Sequence, residues 1–133
     1  MLKYDTTGWK MSAILLSIKP EFVEKILTGE KKFEYRKTRC HADVDTIIIY
    51  ATRPVMRVVA TVRVLDIVSG RPDVVWKKTH KYSGISRDFF DAYYRDADVA
   101  FAYKLGDITK FTPYKTLKDF GISHAPQSFV YIK

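Results

Sequence analysis

Residues 13–36 read AILLSIKPEFVEKILTGEKKFEYR, and this stretch decides the fold. It begins with a short apolar run, rich in strand formers, that stops at Lys19 and predicts a buried strand. Pro20 suits the first turn of a helix, and apolar residues then recur at helical spacing until Gly29 supplies a C-terminal stop. The octet 29–36 ends in alternating charged and aromatic residues, which predicts a strand. The stretch is therefore a strand–helix–strand unit.

The octet also carries the charges of a candidate site. If it is extended throughout, Lys32, Glu34 and Arg36 share one face and Lys31 points to the other. A site that joins Lys31 to Glu34 then requires either a departure from regular β geometry just after Gly29 or a Lys31 stem that folds over the strand edge. The alternative interpretation is a surface ion pair between Glu34 and Arg36, worth only about a few tenths of a kcal/mol.

Four further strands are predicted along the chain. Residues 46–52 are too β-branched for a helix and suit a central strand, whereas residues 56–68 alternate as in a half-exposed strand. Residues 99–111 alternate again, with a bulge at Gly106, and residues 128–132 form a closing strand.

Two shorter helical segments are predicted between these strands. Ser86 is a good N-cap for a second helix, and residues 116–121 have the form of a capping box closed by glycine. Residues 69–85 suggest only a packed turn within a long connection. Five or six strands with two or three short helices predict an α+β domain with a small mixed or antiparallel barrel.

Composition limits the class of protein. The chain has 133 residues, 47% of them hydrophobic and 29% charged, which fits one globular domain. We expect residues 1–11 to form a flexible leader and residues 12–133 to form the domain. No apolar run is long enough to cross a bilayer, and the N-terminus lacks a signal-peptide core, so we expect a cytoplasmic protein with no membrane partner.

Charge indicates the kind of partner. The chain holds 23 basic and 15 acidic residues, a net charge of +8, and such a field attracts nucleic acid. A solvated basic surface is the alternative. The single cysteine, Cys40, and three histidines offer no zinc-ligand spacing, so we expect no metal and no cofactor.

The segment around the octet resembles the ASCH domain family, whose mark is G-x-K-x-x-E-x-R after the first helix. The marked positions are Gly29, Lys31, Glu34 and Arg36, and the similarity extends over about residues 13–133. The resemblance implies a PUA-like mixed pseudobarrel of five or six strands with a cleft beside the first helix. Most members of the family are regarded as RNA-binding modules.

The resemblance also allows an enzyme, in which Lys31, Glu34 and Arg36 would be the catalytic residues. An ASCH-like amidohydrolase that deacetylates acetylcytidine has a catalytic lysine that falls on Lys31, but its catalytic threonine falls on Glu34, and a carboxylate cannot replace a hydroxyl nucleophile without a change of mechanism. A related ASCH protein cleaves RNA. By that resemblance, lysine and arginine of this chain would stabilise the pentacovalent phosphate while Glu34, Lys31 or Tyr35 moves a proton, and no metal would be needed.

We predict an RNA- or modified-nucleotide-binding domain, with a metal-independent hydrolase and a protein-interaction module as the alternatives. In the binding hypothesis, lysine and arginine side chains meet phosphates, a tyrosine stacks on an unpaired base, and two polar side chains read a base edge. The candidate ligand residues are Lys19, Lys31, Lys32, Glu34, Arg36, Tyr50, Tyr103, Gln127 and Ser128. Any protein partner is left unspecified.

Overall fold

The structure, a computed structural model, describes residues 12–132. Residues 1–11, where a leader is predicted, lie outside the described residues. The strands and helices follow in the order β1 (Ala13–Ile18), α1 (Pro20–Thr28), β2 (Phe33–Arg36), β3 (Thr46–Ala51), β4 (Arg57–Gly70), α2 (Pro72–Thr79), α3 (Arg87–Tyr93), β5 (Ala100–Lys115) and β6 (Phe129–Ile132), with 3₁₀ helices at His80–Tyr82 and Leu117–Phe120.

The strands form one six-stranded mixed sheet in the order β2-β5-β4-β3-β1-β6. β1 runs parallel to β3, and the other neighbouring pairs are antiparallel. β3 is buried along its whole length, as its β-branched composition predicts for a central strand. The α+β class and the mixed sheet predicted from the sequence are confirmed.

Local signals place the helix ends where the sequence predicts them. Pro20 occupies the first turn of α1, and Gly29 ends that helix in the left-handed conformation with φ 86°, donating its N–H to the Ile26 carbonyl. The Ser86 side chain caps α3 by accepting from the Phe89 N–H. A capping box at Thr116 begins the second 3₁₀ helix.

Two predictions about the middle of the chain are wrong. β2 covers only the second half of the octet, since the chain turns after Gly29 before it enters the sheet at Phe33. Residues 69–85 contain the helix α2 and a 3₁₀ helix instead of a packed turn. α2 starts with a proline in its first turn and has two lysines in its last turn, and both features are signals of a helix. Its apolar face is small, so the hydrophobic periodicity of the sequence does not reveal it.

The two faces of the sheet carry different helices. Ile14 and Leu16 of β1 point toward Val23 and Ile26 of α1, which form one apolar cluster with the inner side of β3. Alternate residues such as Leu15 point to the opposite face, where the 3₁₀ helix 117–120 covers them. Within residues 12–132, no helix combines the length and hydropathy required to span a bilayer.

Candidate functional site

A cleft of about 220 Å³ opens beside α1. The end of β1, the first turn of α1 and β2, which follow one another along the chain, enclose it together with the distant helix α3. Its walls combine aromatic and aliphatic side chains with two lysines, one arginine and one glutamate. The lining residues are Ser17, Ile18, Lys19, Phe22, Lys31, Glu34, Tyr35, Arg36, Ile85, Phe89 and Tyr93.

Lys31 lies at the base of this cleft. β2 begins only at Phe33, so strand alternation does not determine the direction of the Lys31 side chain. That side chain reaches the same pocket as Glu34. Its Nζ donates to the Ser83 carbonyl at 2.7 Å and lies 3.9 Å from Glu34 Oε1. The geometric objection raised by a regular strand is therefore removed by the turn after Gly29.

The burial of Lys31 changes its acidity. The residue is 2% exposed, and its ammonium lies 4.9 Å from the centre of the Tyr35 ring and 5.5 Å from that of Phe22. Burial lowers the pKa of Lys31 from 10.5 to about 8, and the carboxylate of Glu34 opposes this shift. Lys31 is therefore mainly protonated at neutral pH, yet close enough to its pKa to exchange a proton.

Arg36 holds Glu34 in place. Its Nε donates to Glu34 Oε2 at 2.9 Å, and its Nη2, which lies 2.8 Å from the same oxygen in an ion pair, donates to the Ser17 carbonyl at 2.8 Å. Glu34 is 6% exposed, so this pair is far from the surface ion pair of the alternative interpretation. Oε1 of Glu34 faces Lys31 beyond hydrogen-bond distance. With all three groups ionised, the cluster carries one net positive charge.

Aromatic rings form the walls of the cleft. Phe22 and Phe89 meet edge to face with ring centres 5.4 Å apart. Lys19 Nζ lies 5.7 Å from the Phe89 ring centre and Lys37 Nζ lies 4.8 Å from that of Tyr93. The cleft mouth thus pairs exposed lysines with aromatic faces, a combination suited to a ligand with both a phosphate and a flat ring.

Tyr35 is held as a neutral wall. The Thr79 hydroxyl donates to the Val75 carbonyl, so in its 2.8 Å contact with Tyr35 it accepts from the phenol. Burial raises the pKa of Tyr35 to about 12. This arrangement argues against Tyr35 as the residue that moves a proton at neutral pH.

Four of the predicted ligand residues meet in the cleft: Lys19, Lys31, Glu34 and Arg36. Lys32 is exposed outside it and lies over the ring of Tyr82. Gln127 and Ser128 are also exposed outside the lining, and the Ser128 hydroxyl contacts that of Thr38 at 3.2 Å.

The two tyrosines predicted to stack on a base lie elsewhere. Tyr103 is fully buried, and its hydroxyl accepts from the Cys40 N–H and donates to the Thr38 carbonyl, so it cannot stack on a ligand. Tyr50 is 5% exposed and packs with Leu15 in the apolar cluster on the sheet face opposite α1. Strand alternation assigns a residue to a face but does not say which face bears the cleft.

Sequence reasoning missed the segment 83–85, which closes the cleft. Ser83 accepts the hydrogen bond from Lys31, Gly84 accepts one from Lys25 at 3.1 Å, and Ile85 lines the pocket. Gly84 has φ 68°, and a Cβ there would lie 2.6 Å from Lys31 Cβ. A glycine in an irregular connection signals a positive φ, but the neighbour that it accommodates is visible only in three dimensions.

Metal ligands do not assemble in this region. Among residues 12–132, no three His, Cys, Asp or Glu side chains cluster closely enough to hold a metal ion.

The mixed sheet with its helices is the α+β architecture of a PUA-like domain, and solved structures share this fold. The chain belongs to the ASCH domain family, whose model matches residues 16–119, a range that contains every residue of the cleft. The ASCH protein of Zymomonas mobilis has the same fold, with a TM-score of 0.80 and 26% identity over 91% of this chain and 87% of that one.

Two relatives carry functional names. The chain is 28% identical over 123 residues to the ASCH domain-containing ribonuclease of Zymomonas mobilis, covering 90% of this chain and 83% of that protein. It is also 28% identical over 121 residues to the large ribosomal subunit protein uL22 of Ureaplasma parvum. That match covers 90% of this chain but 39% of the relative, so the chain spans less than half the length of that protein.

Proposed function

We propose that this domain binds unpaired RNA, or a nucleotide cut from it, in the cleft beside α1, as part of a cytoplasmic protein. The observation that carries the proposal is the buried ammonium of Lys31 beside the Arg36–Glu34 pair, at the base of a cleft with aromatic walls. A relative named as a ribonuclease supports the same class of ligand.

The size and lining of the cleft favour one nucleotide over a duplex. A volume of about 220 Å³ excludes a double helix, whereas an unpaired base can leave its strand and stack on an aromatic side chain. Tyr93 and Phe89 supply that wall, and the cations supply the contacts to phosphate. The net charge of +8 draws the polyanion toward the domain.

Binding is tested with a fluorescent single-stranded RNA decamer titrated at several salt concentrations. Lys31→Met and Arg36→Gln each remove one positive charge, so each should weaken binding about tenfold and reduce the slope of log Kd against log salt. Lys118→Ala is a control of equal charge change, since Lys118 lies in the 3₁₀ helix on the opposite sheet face. Equal affinities for the wild type and both cleft variants would refute the site.

RNA cleavage is the second candidate, favoured by the geometry around Glu34. Oε2 is occupied by Arg36, whereas Oε1 faces the cleft at 3.9 Å from Lys31. Glu34 Oε1 would take the proton of a ribose 2′-OH as that oxygen attacks the adjacent phosphorus. Lys31, with its pKa of about 8, would give a proton to the departing 5′ oxygen. The products are a 2′,3′-cyclic phosphate and a free 5′-hydroxyl.

The cleavage assay separates the enzyme from a binding module. The wild type should release the cyclic phosphate in the presence of EDTA, and Glu34→Gln should stop cleavage while it retains RNA binding. A decamer with 2′-deoxyribose at every position should stay intact. Binding without turnover of RNA or of acetylcytidine would leave a binding module, and failure to bind either would favour the protein-interaction alternative.

A further inference from the structure

A second cluster of cations and one aromatic ring lies next to the cleft, on the segment that sequence reasoning left unassigned. Tyr82 is 42% exposed, with Lys32 Nζ 4.6 Å and Lys81 Nζ 5.8 Å from its ring centre. Lys32 comes from the turn before β2 and Lys81 from the 3₁₀ helix 80–82. Two distant parts of the chain therefore bring their ammonium groups to one exposed ring.

Backbone hydrogen bonds fix this cluster beside the cleft. The N–H of Lys32 donates to the Tyr82 carbonyl at 2.8 Å, and the next residue, Ser83, accepts from the buried Lys31. Ile85, which lines the cleft, follows three residues after Tyr82, so their Cα atoms are at most about 11 Å apart. One strand of RNA can reach both places.

The charge around Tyr82 fits a polyanion. Residues 77–82 read KKTHKY, which is three lysines without an acid, and all three lysines are exposed. The acid in the first turn of α2, Asp73, is paired with Arg71 at 3.7 Å. The run that leads into Tyr82 therefore carries a net positive charge.

We propose that Lys32, Lys81 and Tyr82 form a second RNA-binding subsite, which takes the nucleotides next to the one held in the cleft. This inference rests on the proposed function. A base stacks on Tyr82 while the two lysines move to the flanking phosphates. An exposed cation–π contact is weaker than base stacking. Replacing the two lysines over the Tyr82 ring by a base therefore makes the free energy of binding more favourable.

The test compares RNAs of two lengths. Lys32→Ala with Lys81→Ala should weaken binding of the single-stranded decamer and reduce its salt slope by about 1.4, since each phosphate contact on a single strand contributes about 0.7. Binding of a single nucleotide, which fills only the cleft, should be unchanged. Tyr82→Ala should cost the decamer about tenfold in affinity, and Tyr82→Phe should retain it.

A matched pair of lysines controls for charge. Lys115 also lies over an aromatic ring, with its Nζ 5.3 Å from the centre of the Phe111 ring. Lys115 and Lys118 both lie on the face of the sheet opposite to α1. If the Lys115→Ala, Lys118→Ala double variant lost as much affinity for the decamer as the Lys32→Ala, Lys81→Ala double variant, the subsite would be overturned. Decamer affinity unchanged by the Lys32, Lys81 and Tyr82 variants, but lost in Lys31→Met, would overturn the subsite and leave the cleft in place. Affinity unchanged in every variant would overturn both.

Discussion

Gly84 is the position where one added carbon should disturb the cleft most. Its φ of 68° lies in the left-handed region, and a Cβ there would stand 2.6 Å from Lys31 Cβ and 2.7 Å from Lys31 Cγ. Ordinary contacts between such atoms begin near 3.4 Å. Gly84→Ala must therefore push the stem of Lys31 or the 83–85 segment away, and the hydrogen bond from Lys31 to Ser83 stretches with it.

The cost has two parts. A left-handed conformation costs an alanine roughly 1 kcal/mol, and an overpacked contact adds about 1–3 kcal/mol. Gly121 has nearly the same φ, 72°, and a Cβ there would meet no heavy atom within 4 Å, so Gly121→Ala should incur only the first part. The difference between the two variants isolates the contact with Lys31.

The assay is urea unfolding of both variants, followed by RNA titration under native conditions. Gly84→Ala should be about 1–3 kcal/mol less stable than Gly121→Ala, a midpoint shift of about 1 M urea. The folded Gly84→Ala protein should also bind RNA less tightly, because the ammonium has moved. Equal free energies of unfolding for the two variants would refute the argument that Gly84 makes room for Lys31.

Two further predictions concern titration and the misassigned tyrosine. Folding lowers the pKa of Lys31 from 10.5 to about 8, so the unfolded chain binds more protons than the folded one between these pH values. The free energy of unfolding, relative to that of Lys31→Met, should therefore rise by up to about 3 kcal/mol from pH 8 to 10.5. Urea unfolding across that range checks it, and a flat difference would contradict it. Tyr103→Phe leaves the buried N–H of Cys40 without its acceptor, so it should lower the free energy of unfolding by about 1–3 kcal/mol in the same assay. The affinity for RNA should be unchanged. A loss of affinity in the folded variant would restore Tyr103 to the binding site.

The parts of the fold that depend on local chemistry were predictable from the sequence. Gly29 ends α1 because only a residue free of a Cβ takes φ 86° cheaply, and Ser86 begins α3 because its hydroxyl reaches the Phe89 N–H. β3 follows from its β-branched side chains. Such signals act within a few residues, so one sequence suffices to find them.

The parts that depend on contacts between distant residues were not predictable. Strand alternation separates Lys31 from Glu34, and only the turn after Gly29 reunites them. Ser83, which orients Lys31, lies 52 residues away from it. The same limit explains Tyr103: its strand was identified, but its position in the core depends on how β5 pairs with β2 and β4.

A glutamate at the base of a cleft for an anion has a physical role in the free protein. Burial and the neighbouring Lys25 and Arg36 all lower the pKa of Lys31, and Glu34 alone among the named charges raises it. Without that carboxylate, more of the lysine would lose its proton at neutral pH, and Arg36 would carry more of the positive charge that remains. Glu34 therefore keeps Lys31 protonated, and the net charge of +1 that results is what a single phosphodiester neutralises.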